Sequence, residues 1–311
     1  MNWFFLKISR KLVVLEMNCA RKLRELLLEP GLLMAPGVAD ALNARLVAEA
    51  GFKVIYMTGS GTTAARLGMP DIGLLSVSEM VDNAGRIADA SGLPLISDAD
   101  TGYGGPLNVY RTTRMFEKAG VAGIHIEDQN WPKRCGHLAG KTIIPAHEMV
   151  SKIMAACDGR DDDDFVIIAR TDALAVEGLN STLERAEMYA EAGADVIFVE
   201  SPTSEEELEA IPKRISCPTL FNMAASGKTP FLDKAEIEKY GYKIAIYPNF
   251  AMLAAVPAVR HYLSELSENG TVAHLVNEMV SFQEFFNLVG MESVKEMEEK
   301  YSVDQKSRVD F

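Results

Sequence analysis

No two cysteines of this chain are spaced for pairing or for a metal ribbon. There are four, Cys19, Cys135, Cys157 and Cys217, widely separated and never in a C-x-x-C pair. That excludes a disulfide framework and points to a reduced, cytosolic protein, so a cytoplasmic location is expected. A long apolar run is also missing. None approaches the roughly 20 residues that a spanning helix needs, so no membrane insertion is expected. Positive charge is scarce: 31 Lys and Arg against 44 Asp and Glu give a net charge of −13. An acidic surface of this kind argues against nucleic acid and anionic membranes as partners. A small anionic substrate is still compatible, because a metal ion and a few arginines can invert the field locally. No G-x-G-x-x-G follows the first apolar run, which counts against a dinucleotide-binding open sheet. Finally, no Pro/Gly/Ser-rich linker divides the chain. Residues 1–17 are basic and apolar but lack a long hydrophobic core and a small-residue cleavage site. We read residues 1–19 as an extension without a catalytic role, with organellar targeting as the alternative for 1–17.

What is present is a repeat. Short apolar runs begin at Leu32, Val54, Leu93, Gly123, Phe165, Val196, Thr219 and Ile244. Amphipathic helical patterns follow each, from Ala39, Val77, Asn108, Ala146, Ser181, Ser204, Lys234 and Phe250. Several close on glycine (Gly51, Gly120, Gly193, Gly241), as helix C-termini commonly do. Strict alternation of strand and helix predicts parallel strands with crossover helices, and eight units predict a closed (β/α)₈ TIM barrel. Residues 20–311 read as a single barrel domain that includes C-terminal helices over 272–300. These are predicted at Val272–Val289 and Glu292–Lys300. Leu275, Met279, Phe282 and Phe286 form an apolar stripe that needs a partner surface.

In such a barrel, chemistry gathers at the C-terminal ends of the strands. Six successive ends carry polar groups: Thr58-Gly59-Ser60-Gly61, Asp98-Ala99-Asp100, Glu127-Asp128-Gln129, Arg170-Thr171-Asp172, Glu200 and Asn222. Asp98 and Asp100 are two apart on a strand and are expected to face the same side. With Glu127 they make an all-oxygen acidic cluster, the donor set of Mg²⁺ or Mn²⁺. Cys135 and His137 do not complete a zinc set, since no second pair has matching spacing. The run Lys133-Arg134-Cys135-Gly136-His137 lies in an unusually long strand-to-helix loop, and long loops over an active face are often lids. Basic neighbours lower a thiol's pKa and fit Cys135 for proton transfer. The short acidic run Asp161–Asp164 reads as a solvated loop.

These residues carry a family resemblance. The chain resembles the isocitrate lyase / phosphoenolpyruvate mutase superfamily over about residues 20–300, and within it the short lyases. The likeness rests on Tyr56-Met57-Thr58-Gly59, Leu67–Asp71, Asp98–Gly104, His125–Gln129, Lys133–His137, Ile168–Ala173 and Tyr247-Pro248. It implies an Mg²⁺-dependent (Mn²⁺ as the alternative) carbon–carbon lyase, an oxo-acid-lyase acting on a 2-hydroxy dicarboxylate. It also implies a homotetramer, a dimer of helix-swapped dimers. By the resemblance, Asp98 and Asp100 hold the metal, with Asp71 and Glu127 in support. Thr58, Gly59 and Ser60 bind the substrate carboxylate. Arg170 binds the oxygens of the incipient 2-oxo acid, and Glu200 and Asn222 line the other side. Cys135 is the proton donor, with Gly136 and His137 beside it.

Three departures narrow the substrate. Leu253 and Phe282 stand where methylisocitrate lyase has arginines for a third carboxylate, and a buried carboxylate without its Arg is costly. An alkylmalate of the 2,3-dimethylmalate type is therefore expected, not methylisocitrate. The run Asn222–Gly227 carries Ala224-Ala225 where lyases usually carry Thr or Glu. The alternatives are methylisocitrate lyase, oxaloacetate hydrolase or decarboxylase, a (carboxy)phosphonoenolpyruvate phosphonomutase, and a non-catalytic barrel that only binds.

Overall fold

The computed structural model describes residues 18–134, 136, 140–225 and 227–301. The extension at 1–17, Cys135 and His137 lie outside the described residues. Eight strands follow in order: β1 Leu33–Val38, β2 Ile55–Met57, β3 Leu95–Asp98, β4 Gly123–Glu127, β5 Val166–Thr171, β6 Val196–Val199, β7 Thr219–Asn222 and β8 Ile244–Tyr247. All neighbours are parallel, and Leu33 pairs with Ile244 to close the (β/α)₈ barrel that the repeat predicts.

Side chains alternate along each strand, so the core has two layers. Inside the barrel pack Ala35, Tyr56, Ile96, Ile168, Phe198, Leu220 and Ile246. Leu23 and Leu26 of the helix Cys19–Leu28 join that inner cluster. The apolar stripe of this helix thereby stops the end of the barrel opposite the strand C-termini. The outer layer, including Ile124, Phe116, Ile153, Ile167 and Tyr189, lies between strands and flanking helices. The acidic run, expected as a solvated loop, is a loop tied down by polar side chains. Asp162 accepts from Asn18 at 2.8 Å, and Asp164 pairs with Arg21 at 3.0 Å.

Three short elements were not legible in the alternation: the helices Cys19–Leu28, Gly59–Leu67 and Leu174–Glu177. The expected helix Val272–Val289 is also two pieces. A 3₁₀ turn spans Ala273–Glu278, and an α-helix spans Phe282–Leu288. The break has a local cause: the Ser281 hydroxyl accepts from the Glu284 N–H at 3.2 Å, an N-cap in the middle of the apolar stripe. The chain divides into two compact units, one up to Met252 and one from Leu253. The pocket described below lies within the first unit.

Candidate active site

The strand ends meet in one cavity. Thr58, Ser60, Asp71, Asp98, Glu127, Lys133, Gly136, Arg170, Glu200 and Asn222 all border it, with Tyr56, Phe198, Ala224, Ile246, Pro248 and Asn249. Nine of the thirteen site residues expected from the sequence thus border it, and Gly59 lies between Thr58 and Ser60 in the chain. Asp100 lies just behind it, and Cys135 and His137 are among the undescribed residues.

Thr58 ends β2 and caps the helix Gly59–Leu67. Its hydroxyl accepts from the Gly61 N–H at 3.3 Å. The segment read as a strand end is therefore the first turn of a helix, whose unsatisfied N–H groups favour anions. Asn249 ties this turn down, donating to the Ser60 hydroxyl at 3.0 Å. Gly59 has to be glycine: a Cβ there would run into the Asp98 carboxylate.

Asp98 and Asp100 come together, but not by facing one way along a strand. β3 ends at Asp98, and Asp100 turns back with φ 47° in the left-handed region. The turn is held by the Asp100 N–H, which donates to Asp98 Oδ1 at 2.9 Å. Such strained backbone is tolerated where the surroundings over-determine it. Lys133 then inserts its ammonium between carboxylates, 2.6 Å from Asp100 Oδ1 and 2.7 Å from Asp71 Oδ2. Burial would lower the Lys133 pKa, but Asp100, Asp98, Glu127 and Asp71 hold it well above the usual value. Burial pushes both aspartates up despite Lys133, Asp100 to about 6.

The opposite wall is built on β4 to β7. Glu127 and Arg170 are register partners, 3.4 Å apart at Nε and Oε2. Arg170 is also held by Asp172, at 3.0 Å through Nε and 3.2 Å through Nη2, and its guanidinium stacks 5.1 Å over the Phe198 ring. Glu200 accepts from Asn222 at 3.2 Å and from the Ser201 hydroxyl at 2.9 Å. Burial lifts the Glu127 carboxyl well above the usual range, against the pull of Arg170 and Lys133. Gly136 closes the gap between Arg170 and Glu200, where a Cβ would have no room.

A divalent cation fits this donor set. Among the described residues no three Asp, Glu, His or Cys side chains gather tightly enough to hold an ion by themselves. Mg²⁺ does not need three, because it is commonly held by one or two carboxylates and keeps several waters. The Lys133 ammonium already stands among the carboxylates as a cation. Among the described residues Asp100 Oδ1 accepts no well-directed hydrogen bond despite that contact, and the buried Glu127 Oε1 has no hydrogen-bond partner.

Sequence reasoning missed four participants. Lys133 stood in the quoted loop run without a site role, and Asn249 followed Tyr-Pro without a signal. Asp172 lay in the quoted A-R-T-D-A run. His125 stood in the run His125–Gln129 without a site role. It is fully buried beneath the pocket, with Nε2 2.9 Å from the Tyr56 hydroxyl and its ring edge-on to Phe198. Burial, with Arg170 and Lys133 nearby, lowers its pKa to about 3.

With this geometry in hand, the similarities to known proteins are specific. The sequence profile of phosphoenolpyruvate phosphomutase matches residues 23–267. The 2,3-dimethylmalate lyase of Eubacterium barkeri is 48% identical over 286 residues, 92% of this chain and 99% of that protein. Oxaloacetate acetylhydrolase in complex with the inhibitor 3,3-difluorooxalacetate aligns with a TM-score of 0.88 at 38% identity, over 93% of this chain and 99% of that one. Phosphonopyruvate hydrolase in complex with oxalate and Mg²⁺ aligns with a TM-score of 0.83 at 32% identity, over 91% and 98%. Profile, near full-length identity and barrel agree, and the chain belongs to the phosphoenolpyruvate mutase/isocitrate lyase superfamily.

Proposed function

We propose that the chain is a divalent-metal-dependent carbon–carbon lyase that cleaves a 2-hydroxy dicarboxylate of the 2,3-dimethylmalate type to a 2-oxo acid such as pyruvate and a carboxylic acid. One observation carries the reading. Buried carboxylates of Asp98, Asp100 and Asp71 gather round the Lys133 ammonium, beside a cavity that Arg170 and the start of the helix Gly59–Leu67 also border. The 48% identity to 2,3-dimethylmalate lyase supports the choice of substrate. Mg²⁺ is the expected ion, held by Asp98 and Asp100 with water, and Mn²⁺ has the same donor preference. When bound, the ion lowers the pKa of the C2 hydroxyl and stabilises charge on oxygen.

The chain's residues supply the rest. Helix N–H groups beyond Thr58 and the Arg170 guanidinium hold carboxylate oxygens. The contacts of Arg170 to Glu127, Asp172 and Glu200 run through Nε and Nη2. The C2 hydroxyl passes its proton to the Glu127 carboxylate at Oε1 as the C2–C3 bond breaks, and C2 becomes the carbonyl of the 2-oxo acid. The electron pair passes to the other fragment, an enediolate-type carboxylate. Cys135, in the same loop as Lys133 and Gly136, delivers a proton to its carbon. Glu127, lifted by burial, can carry a proton at its unpartnered Oε1.

The test is a substrate panel with Mg²⁺ or Mn²⁺: 2,3-dimethylmalate and other alkylmalates, oxaloacetate, methylisocitrate and phosphonopyruvate. Pyruvate is followed by coupled NADH oxidation, and oxalate and acetate by chromatography. Alkylmalate cleavage is expected to dominate, and Cys135→Ser to lower it by about 100-fold or more, the range for loss of a positioned acid. Oxalate from oxaloacetate with no alkylmalate cleavage would replace the lyase by the hydrolase, the reading that Ala224 in the wall also fits. We also propose the homotetramer. Val259, Leu263 and Phe282 are exposed apolar residues that a partner would cover. A monomer mass by light scattering would remove that assembly.

A further inference from the structure

We propose that Lys141 is a positioning residue that ties the backbone at Gly136 to the carboxylate that holds Arg170. Lys141 does not border the active cavity but lines a neighbouring one, which Gly136 also borders. Its side chain is almost wholly buried, and one ammonium makes two short contacts. It donates to the Gly136 carbonyl at 2.6 Å and to Asp172 Oδ1 at 2.7 Å. Asp172 is itself fully buried and spends its other contacts on Arg170. Burial would raise its carboxyl, but Arg170 and Lys141 hold it down at about 2. The anchor is firm: the Asp172 N–H donates to Asp128 Oδ1 at 2.9 Å, while Asp128 Oδ2 accepts from Thr171 at 2.7 Å and Tyr189 at 2.8 Å.

One carboxylate thus answers to two cations, a guanidinium in the pocket wall and an ammonium on the loop. On the other side of Cys135 in the sequence, Gln129 holds the Arg134 backbone from both ends of its peptide unit. Its Nε2 donates to the Arg134 carbonyl at 2.8 Å, and its Oε1 accepts from the Arg134 N–H at 3.0 Å. Both neighbours of Cys135 in the sequence are therefore fixed by side chains, and on the Gly136 side the donor to the carbonyl is Lys141. Charge-assisted hydrogen bonds of this kind are the strong ones. Removing the ammonium frees the Gly136 carbonyl without touching Arg170, Asp98 or Asp100. Substrate binding should persist while the geometry of proton delivery is lost.

The experiment compares Lys141→Met, which keeps the stem and loses the ammonium, with Lys141→Arg, which keeps the charge. The kinetic arm rests on the proposed lyase reading. Lys141→Met is expected to lower kcat by about 100-fold, the scale of a small misplacement, with KM nearly unchanged. Lys141→Arg should recover most of it. The second arm needs no substrate. Native-state trypsin cleavage after Arg134 should quicken by about tenfold in Lys141→Met, as when one charge-assisted hydrogen bond leaves a local opening equilibrium. Lys141→Arg should stay close to the parent rate. Equal cleavage in parent and Lys141→Met overturns the tie, and so does a rate in Lys141→Arg as fast as in Lys141→Met. Faster cleavage in a chain that cleaves no alkylmalate upholds the tie and sinks the lyase reading. If Lys141→Met fails to fold, Lys141→Gln carries both readouts.

Discussion

His125 is the residue whose burial has the clearest consequence for stability. It lies between Tyr56 and Phe198, with Nδ1 lacking any hydrogen-bond partner among the described residues and Asp98 Oδ1 3.7 Å from Nε2. The folded chain keeps the ring neutral down to about pH 3, whereas an unfolded His takes a proton near pH 6.5. Between those values the unfolded state binds the extra proton. Stability from this group is therefore complete above about pH 6.5 and is lost as pH falls, by about 1.4 kcal/mol per pH unit. Asp98, Asp100 and Glu127 act in the opposite sense, because their raised folded pKa values favour the folded state at low pH. A bare slope would mix the two. The difference between parent and His125→Asn isolates the histidine. Urea unfolding between pH 5 and 6.5 should show the parent losing stability faster than the variant by about that slope. Parallel profiles would mean that His125 titrates normally in the fold.

At the scale of elements, alternation made the barrel legible, since each strand–helix unit repeats the same change of period. Val196–Val199, Ile244–Tyr247 and Lys234–Tyr240 fall where the apolar pattern places them. What alternation hides is whatever interrupts the unit. The turn Gly59-Ser60-Gly61 is too glycine-rich to read as helix, yet it is a helix start, because Thr58 caps it and Asn249 holds it from a distant strand end. Ser281 carried a legible signal, Ser-x-x-Glu at 281–284, but the apolar stripe on either side outweighed it. The same limit governs the site. Strand-end carboxylates were legible as a rim, whereas the Asp98–Asp100 pairing depends on a left-handed residue after the strand. Lys133 was legible as a charge but not as a partner, because its contacts with Asp71 and Asp100 cross long stretches of sequence.

For the whole molecule, a chain of net charge −13 that buries acidic groups at its pocket has to neutralise them, and the fold does so with Lys133. If the proposed ion takes the same carboxylates, its binding is an exchange of cations within the acidic site, which sets an order of stabilities. A ligand at about 100 times its Kd stabilises the native state by about 2.7 kcal/mol. At about 2–4 °C per kcal/mol, Mg²⁺ should raise the melting temperature of the parent by roughly 5–10 °C. Asp100→Asn removes part of the seat, so its shift should be small. Lys133→Met leaves Asp71, Asp98 and Asp100 uncompensated in the metal-free chain, where like charges destabilise one another. Its melting temperature without metal should fall below the parent's, and its Mg²⁺ shift should exceed the parent's. Thermal melts of the three chains with and without Mg²⁺ check the ranking. A Lys133→Met shift no larger than that of the parent would mean that the ion and the ammonium do not share one seat, and the cation site would have to be sought away from Asp98 and Asp100.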